Sequence, residues 1–92
     1  MVAYTYDDAL IDIKETAGEK DVTYHLHVKS DEMRQRVKQI RAFFNENKDY
    51  TDALFYTRED GHYEVIVRRD MIVPFLLQLF RFRCVESLQW TK

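Results

Sequence analysis

Hydrophobic period switches back and forth along this chain with almost no residues between the switches, and that constrains the fold more than anything else in it. Val22, Tyr24, Leu26 and Val28 alternate with Thr23, His25, His27 and Lys29, the period of two that belongs to a half-buried strand. Met33, Val37, Ile40 and Phe44 then recur at i, i+4, i+7 and i+11, the stripe of a helix lying on an apolar layer. Tyr63, Val65 and Val67 return to period two, and the apolar run from Met71 to Phe80 returns to helix. Helices interleaved with strands in this way must cover one face of a sheet.

Local signals fix the boundaries. Ala9, Ile11 and Ile13 alternate with Leu10, Asp12 and Lys14, so a strand precedes Val22 and pairs with it as a hairpin. Thr16-Ala17-Gly18-Glu19 is the predicted turn, with glycine at the left-handed position. Centring it on Ala17-Gly18 pairs Ile13 with Val22, Ile11 with Tyr24 and Ala9 with Leu26, all on one face. Ser30 is an N-cap ahead of Asp31 and Glu32, which suit the positive first turn of a helix ending within 45–49. A second hairpin runs from Thr51 to Arg58 and from His62 to Arg69 through Glu59-Asp60-Gly61. Asp70 and Pro74 open a second helix reaching about Arg83, and Val85 to Thr91 is a final strand.

The order is therefore ββαββαβ. From Val22 onward it is that of a ferredoxin-like sandwich, here with an extra N-terminal strand. The expectation is an α+β, two-layer sandwich: a mainly antiparallel sheet, two helices on one face, the other face open. Residues 1–92 make one domain, long enough for a two-layer core and too short for a second. A net charge of -2 argues against general nucleic-acid or membrane binding and leaves local patches open. The lone Cys84 excludes an internal disulfide and fits a reducing cytoplasm; the first eight residues lack the basic and apolar regions of a signal peptide. A cytoplasmic setting without membrane contact is expected.

Two surfaces exceed what a monomer's core requires. Phe75, Leu76, Leu77, Leu79, Phe80 and Phe82 spread over about twice the roughly 100° face a helix on a sheet needs. On the open sheet face, Ile66 stands with Glu64 and Arg68, and the neighbouring strand adds either Phe55 or the pair Leu54 and Tyr56, depending on the turn. The expected interface residues are Leu10, Phe55, Tyr56, Ile66, Leu76 and Phe80. The expected function is that of a non-catalytic cytosolic protein-interaction or regulatory module acting as a homodimer through the open sheet face or the second helix.

Chemistry is sparse by comparison. His25 and His27 project from one side of their strand, opposite the strand holding His62 and Glu64, which is a donor set for zinc or another divalent metal. A His-x-His pair alone is a weak signal. Asp8 is a candidate neighbour of His27, without a nucleophile to serve. Cys84 reads as a small core residue. No glycine-rich phosphate loop or His-Glu-x-x-His motif is present, so neither a cofactor nor catalysis is expected. Nucleic acid is the alternative partner: Arg34, Lys38 and Arg41 form a basic stripe on the first helix, with Lys29 and Arg68 nearer the sheet. The basic-glycine-aromatic pattern of RNA-recognition strands is missing from Gly61 to Val67. In outline the element order is similar to half of a LAGLIDADG homing endonuclease, yet no motif helix with its acid stands upstream of Ala9. It is also similar to small-molecule sensors of the ACT kind, but the junction Val28-Lys29-Ser30-Asp31 lacks their glycine.

Overall fold

The computed structural model describes residues 2–46, 53–58 and 61–91. In chain order the elements are β1 (Val2–Thr5), β2 (Ile11–Ala17), β3 (Asp21–Val28), α1 (Asp31–Glu46), β4 (Ala53–Thr57), β5 (His62–Arg68), α2 (Ile72–Arg81) and β6 (Ser87–Trp90). A single 3₁₀ turn, Arg69–Met71, leads into α2. Among the described residues the protein is α+β, with six strands in two antiparallel sheets and two helices. The larger sheet has the order β2-β3-β5-β4, and β1 pairs with β6 in a separate two-stranded ribbon.

The first hairpin keeps its predicted faces and changes its register. Ile11 pairs with Val28, Ile13 with Leu26, Glu15 with Tyr24 and Ala17 with Val22. The pairing is thus four residues away from one centred on Ala17-Gly18, and the turn runs from Gly18 to Asp21, closed by the Gly18 N–H on the Asp21 carbonyl at 2.8 Å. An even shift leaves every side chain on its own face, so alternation alone cannot choose between the two. Tertiary contacts choose: the Arg69 guanidinium donates to the carbonyls of Gly18 and Glu19 at 2.6 and 3.2 Å. Gly18 does not take a left-handed backbone; a Cβ there would crowd Asp21, 3.1 Å from its carbonyl oxygen and 2.7 Å from its movable Oδ1. Ala9 falls outside β2, and Asp12, not Asp8, stands across from His27.

In α1 the sequence reads directly into structure. Ser30 Oγ accepts the Met33 N–H at 3.1 Å as the N-cap, and Met33, Val37, Ile40 and Phe44 are buried. The helix continues through Glu46; the rest of the expected stop at 45–49 lies outside the described residues. β4 and β5 pair Ala53 with Val67, Phe55 with Val65 and Thr57 with Tyr63. The Arg58 N–H reaches the His62 carbonyl at 2.7 Å, and Gly61 takes a left-handed φ of 75°. Residues 51–52 and 59–60 of the predicted hairpin lie outside the described residues.

α2 buries Phe75, Leu76 and Leu79. Phe75 meets Tyr24 of the sheet and Phe44 of α1, with ring centroids 5.0 and 5.9 Å apart, so both helices pack on the same sheet face. The helix stops at Arg81, short of the predicted Arg83. Arg83 turns left-handed at φ 63°, the Arg83 N–H donates to the Phe80 carbonyl at 3.0 Å and the Cys84 N–H to that of Leu79 at 2.8 Å. This is the pairing of a Schellman cap, built without the usual glycine.

β6 is shorter than the predicted 85–91 and lies against β1, from Val2–Trp90 to Thr5–Ser87. β1 itself escapes a reading that begins at Ala9, although Val2, Tyr4 and Tyr6 alternate with Ala3 and Thr5. Those three alternate residues and Leu88 pack on the main core. The Tyr4 hydroxyl donates to Glu15 at 2.5 Å, and burial, reinforced by that carboxylate, pushes its pKa above the usual phenol range.

Candidate functional site

The open face of the larger sheet is a grid set by strand register. One row across β2, β3 and β5 is Asp12, His27 and His62; the next is Lys14, His25 and Glu64, continued on β4 by Tyr56. The third is Thr16, Thr23 and Ile66, continued by Leu54. Among the described residues, the apolar surface of this face lies at the corner of Leu54, Tyr56 and Ile66, where Leu54 and Tyr56 are exposed. The Arg58 guanidinium sits 5.7 Å over the Tyr56 ring and 3.2 Å from the Glu64 carboxylate. Phe55 belongs to the other face: it is half-buried, 5.7 Å from Phe44 between ring centroids. The expected interface thus loses Phe55 to the core, because the β4–β5 register pairs it with buried Val65 on the helix-covered face.

The three histidines are brought to one face without forming a ligand set. His27 and His62 stack at 4.1 Å with rings 11° apart, so their ring nitrogens lie in parallel planes and do not converge on a shared ion. His25 Nε2 is 3.1 Å from Thr16 Oγ1, and Glu64 is engaged by Arg58. Among the described residues no group of three or more His, Cys, Asp or Glu is placed to hold a metal ion.

The basic residues are also divided. Lys29 is tied to Asp12 at 3.0 Å and to the Asp8 carbonyl at 2.8 Å. Arg68 holds Asp70 at 2.7 Å, and that bond keeps the Asp70 carboxyl below its ordinary range. Arg34, Lys38 and Arg41 lie on α1, and Arg41 reaches Thr57 Oγ1 at 2.8 Å on the edge strand β4. Since α1 covers the face opposite His25 and Tyr56, the helix stripe and the open sheet face are not one surface.

On α2 the surplus apolar side is real and its composition differs from expectation. Leu76 is buried, 1% exposed, because it points with Phe75 and Leu79 into the core. Leu10 is half-buried in the turn before β2, away from Ile66. Val73, Leu77 and Phe80, at i, i+4 and i+7, face outward at 37, 47 and 48% exposure. Trp90 extends them: 71% exposed on β6, it shares a small depression with Val2, Val73 and Leu77. The Val73-Leu77-Phe80 spacing was available in the sequence as a second stripe offset from Phe75 and Leu79. Trp90 was not, because its neighbour depends on β6 leaving the main sheet. Among the described residues no helix is long and apolar enough to cross a membrane. Compared with protein families, curated proteins and solved structures, the chain matches none.

Proposed function

We propose that this chain is a small non-catalytic interaction or regulatory module that works as a homodimer through the outer side of α2 and Trp90. The exposed stripe of Val73, Leu77 and Phe80 carries this reading. It is centred on Leu77, four residues after Val73 and three before Phe80, so two copies related by a two-fold axis at Leu77 set Val73 of each against Phe80 of the other. Such self-complementarity is what an isologous contact needs. Contiguous apolar surface of this kind marks contact sites in soluble proteins.

The non-catalytic assignment is supported by how potential nucleophiles are used. Ser30 caps α1, Ser87 Oγ is 2.6 Å from Thr5 Oγ1, and Cys84 is buried with its thiol pushed up to about 12 by desolvation. A reducing cytoplasm suits that single free thiol. For the architecture, we read a two-layer, ferredoxin-like core made of β3, α1, β4, β5 and α2. The neighbour order β3-β5-β4 supports it, with β2 in the edge place beside β3 where the last strand of such a core would lie.

Light scattering combined with Trp90 fluorescence tests the dimer, since Trp90 is the one tryptophan. Mass should double with concentration while the emission shifts to the blue and loses access to quencher. A constant monomer mass with unchanged emission would remove the proposal. Salt-sensitive binding of single-stranded RNA that is lost on Lys38→Glu would instead favour the basic stripe of α1 as the working surface.

A further inference from the structure

Beyond the C-terminus of α2 lies a cavity of about 530 Å³ that neither the core nor the outer stripe of α2 explains. Its volume falls within the roughly 300–1,000 Å³ typical of small-molecule sites. Apolar wall comes from separate parts of the chain: Leu10 before β2, Met33 on α1, Phe80 on α2, and Cys84 with Val85 beyond it. Arg36, Arg81 and Arg83 complete the wall against two carboxylates, Asp7 and Glu86. The lining therefore carries one net positive charge.

The arginines differ in how they are held. Arg36 is fixed, its Nη2 donating to Glu32 at 2.7 Å and its Nη1 to the Arg83 carbonyl at 3.0 Å, and among the described residues its remaining N–H donors have no further partner. Arg81 lies over the rings of Phe43 and Phe82 at 5.5 and 5.3 Å. Arg83 makes no side-chain hydrogen bond or ion pair among the described residues. It also occupies φ 63°, where a Cβ is disfavoured and glycine is the common choice after a helix. A free guanidinium thus stands on a cavity wall at a backbone position better suited to glycine. Strained positions of this kind concentrate at functional sites.

We infer that this cavity binds a small amphipathic monoanion, its apolar body against Leu10, Met33 and Phe80 and its carboxylate held by Arg83 and Arg36. A guanidinium matches a carboxylate through paired N–H donors. A single negative charge is preferred because Arg36 is already paired with Glu32, which leaves Arg83 as the wall guanidinium without an ion pair or side-chain hydrogen bond among the described residues. Asp7 already accepts the Ala9 N–H at 2.9 Å, whereas Glu86 would oppose a second charge. The site is separate from the self-association surface except for Phe80, which lines both.

Octanoate is the probe, titrated into the full chain and followed by amide NMR, with octanol and inorganic phosphate as controls for body and head. Octanoate should shift Leu10, Arg36, Arg83 and Cys84 saturably, and both controls should bind about tenfold more weakly or worse. Arg83→Asn removes the charge and tolerates the left-handed backbone, so it should lower octanoate affinity about tenfold while the chain stays folded. Arg83→Lys keeps the charge without the paired donors, so its affinity should fall between those of the wild type and Arg83→Asn, and Arg36→Gln should weaken binding independently. Equal affinity for octanol, an unaffected Arg83→Asn, or shifts confined to Val73, Leu77 and Trp90 would overturn the site. Arg83→Asn and Arg36→Gln leave Val73, Leu77 and Phe80 in place, so the oligomeric state measured without octanoate tests the first proposal separately.

Discussion

Phe75 is where the sheet and both helices meet, and replacing it measures how α2 is oriented. The ring is fully buried, and its centroid lies 5.0 Å from Tyr24, 5.9 Å from Phe44 and 6.5 Å from Phe55. Truncating a buried phenylalanine to alanine costs ~3–5 kcal/mol through lost transfer energy and the cavity left behind. Three aromatic neighbours place Phe75→Ala in the upper part of that range. A domain of this length has about 5–14 kcal/mol in all, so the variant should lose a third or more of its stability. Two residues along the same helix, Leu77 is 47% exposed, and Leu77→Ala should cost at most about 1 kcal/mol. Urea unfolding followed by circular dichroism, at concentrations below self-association, reads the difference as about 3 kcal/mol. Equal costs for the two variants would refute the orientation, and with it the claim that Leu77 is spare.

Other perturbations isolate single contacts. Ser30→Ala should destabilise by about 1 kcal/mol, and Ser30→Gly by only a few tenths, in the same assay, because the Met33 N–H loses its cap. Gly61→Ala should cost about 1–2 kcal/mol, since φ is 75° and the added Cβ would lie 3.0 Å from the Val28 carbonyl. The Cys84 thiol, raised by burial from 9.0 to about 12, favours the folded state fully below its unfolded value. That contribution fades as pH climbs from 9.0 towards 12, so the wild type should lose up to about 1 kcal/mol per pH unit relative to Cys84→Ala across that window. Parallel pH profiles for the two chains would contradict it.

How much of this was legible in the sequence depends on the kind of signal. Period-two and period-3.6 patterns located β3, α1, β5 and α2, and they named Val37, Ile40, Val65 and Val67 as core because burial writes itself into alternation. Register was not legible where an even shift preserves both faces, which is why Arg69 and not the pattern fixes the Gly18–Asp21 turn. The end of α2 was blurred because Arg83 does the work of a C-terminal glycine. β1 was missed since its alternation spans only Val2 to Tyr6 and its partner lies at the opposite end of the chain. The surplus of α2 was visible, and Val73, Leu77 and Phe80 fall on a helical stripe of their own, but only packing shows that this stripe and not that of Leu76 faces outward. The cavity draws residues from three separate stretches of chain, 7–10, 33–36 and 80–86, and no local pattern announces it.

Sedimentation velocity across a wide concentration range tests self-association through α2 most directly, comparing the wild type with Leu77→Lys and Leu54→Lys. Both variants put a charge on an exposed apolar residue, one on the outer side of α2 and one on the open sheet face. The expected result is a dimer for the wild type and for Leu54→Lys, and a folded monomer for Leu77→Lys. A wild type that stays monomeric throughout, or a Leu77→Lys chain that dimerises as well as the wild type, would contradict the account.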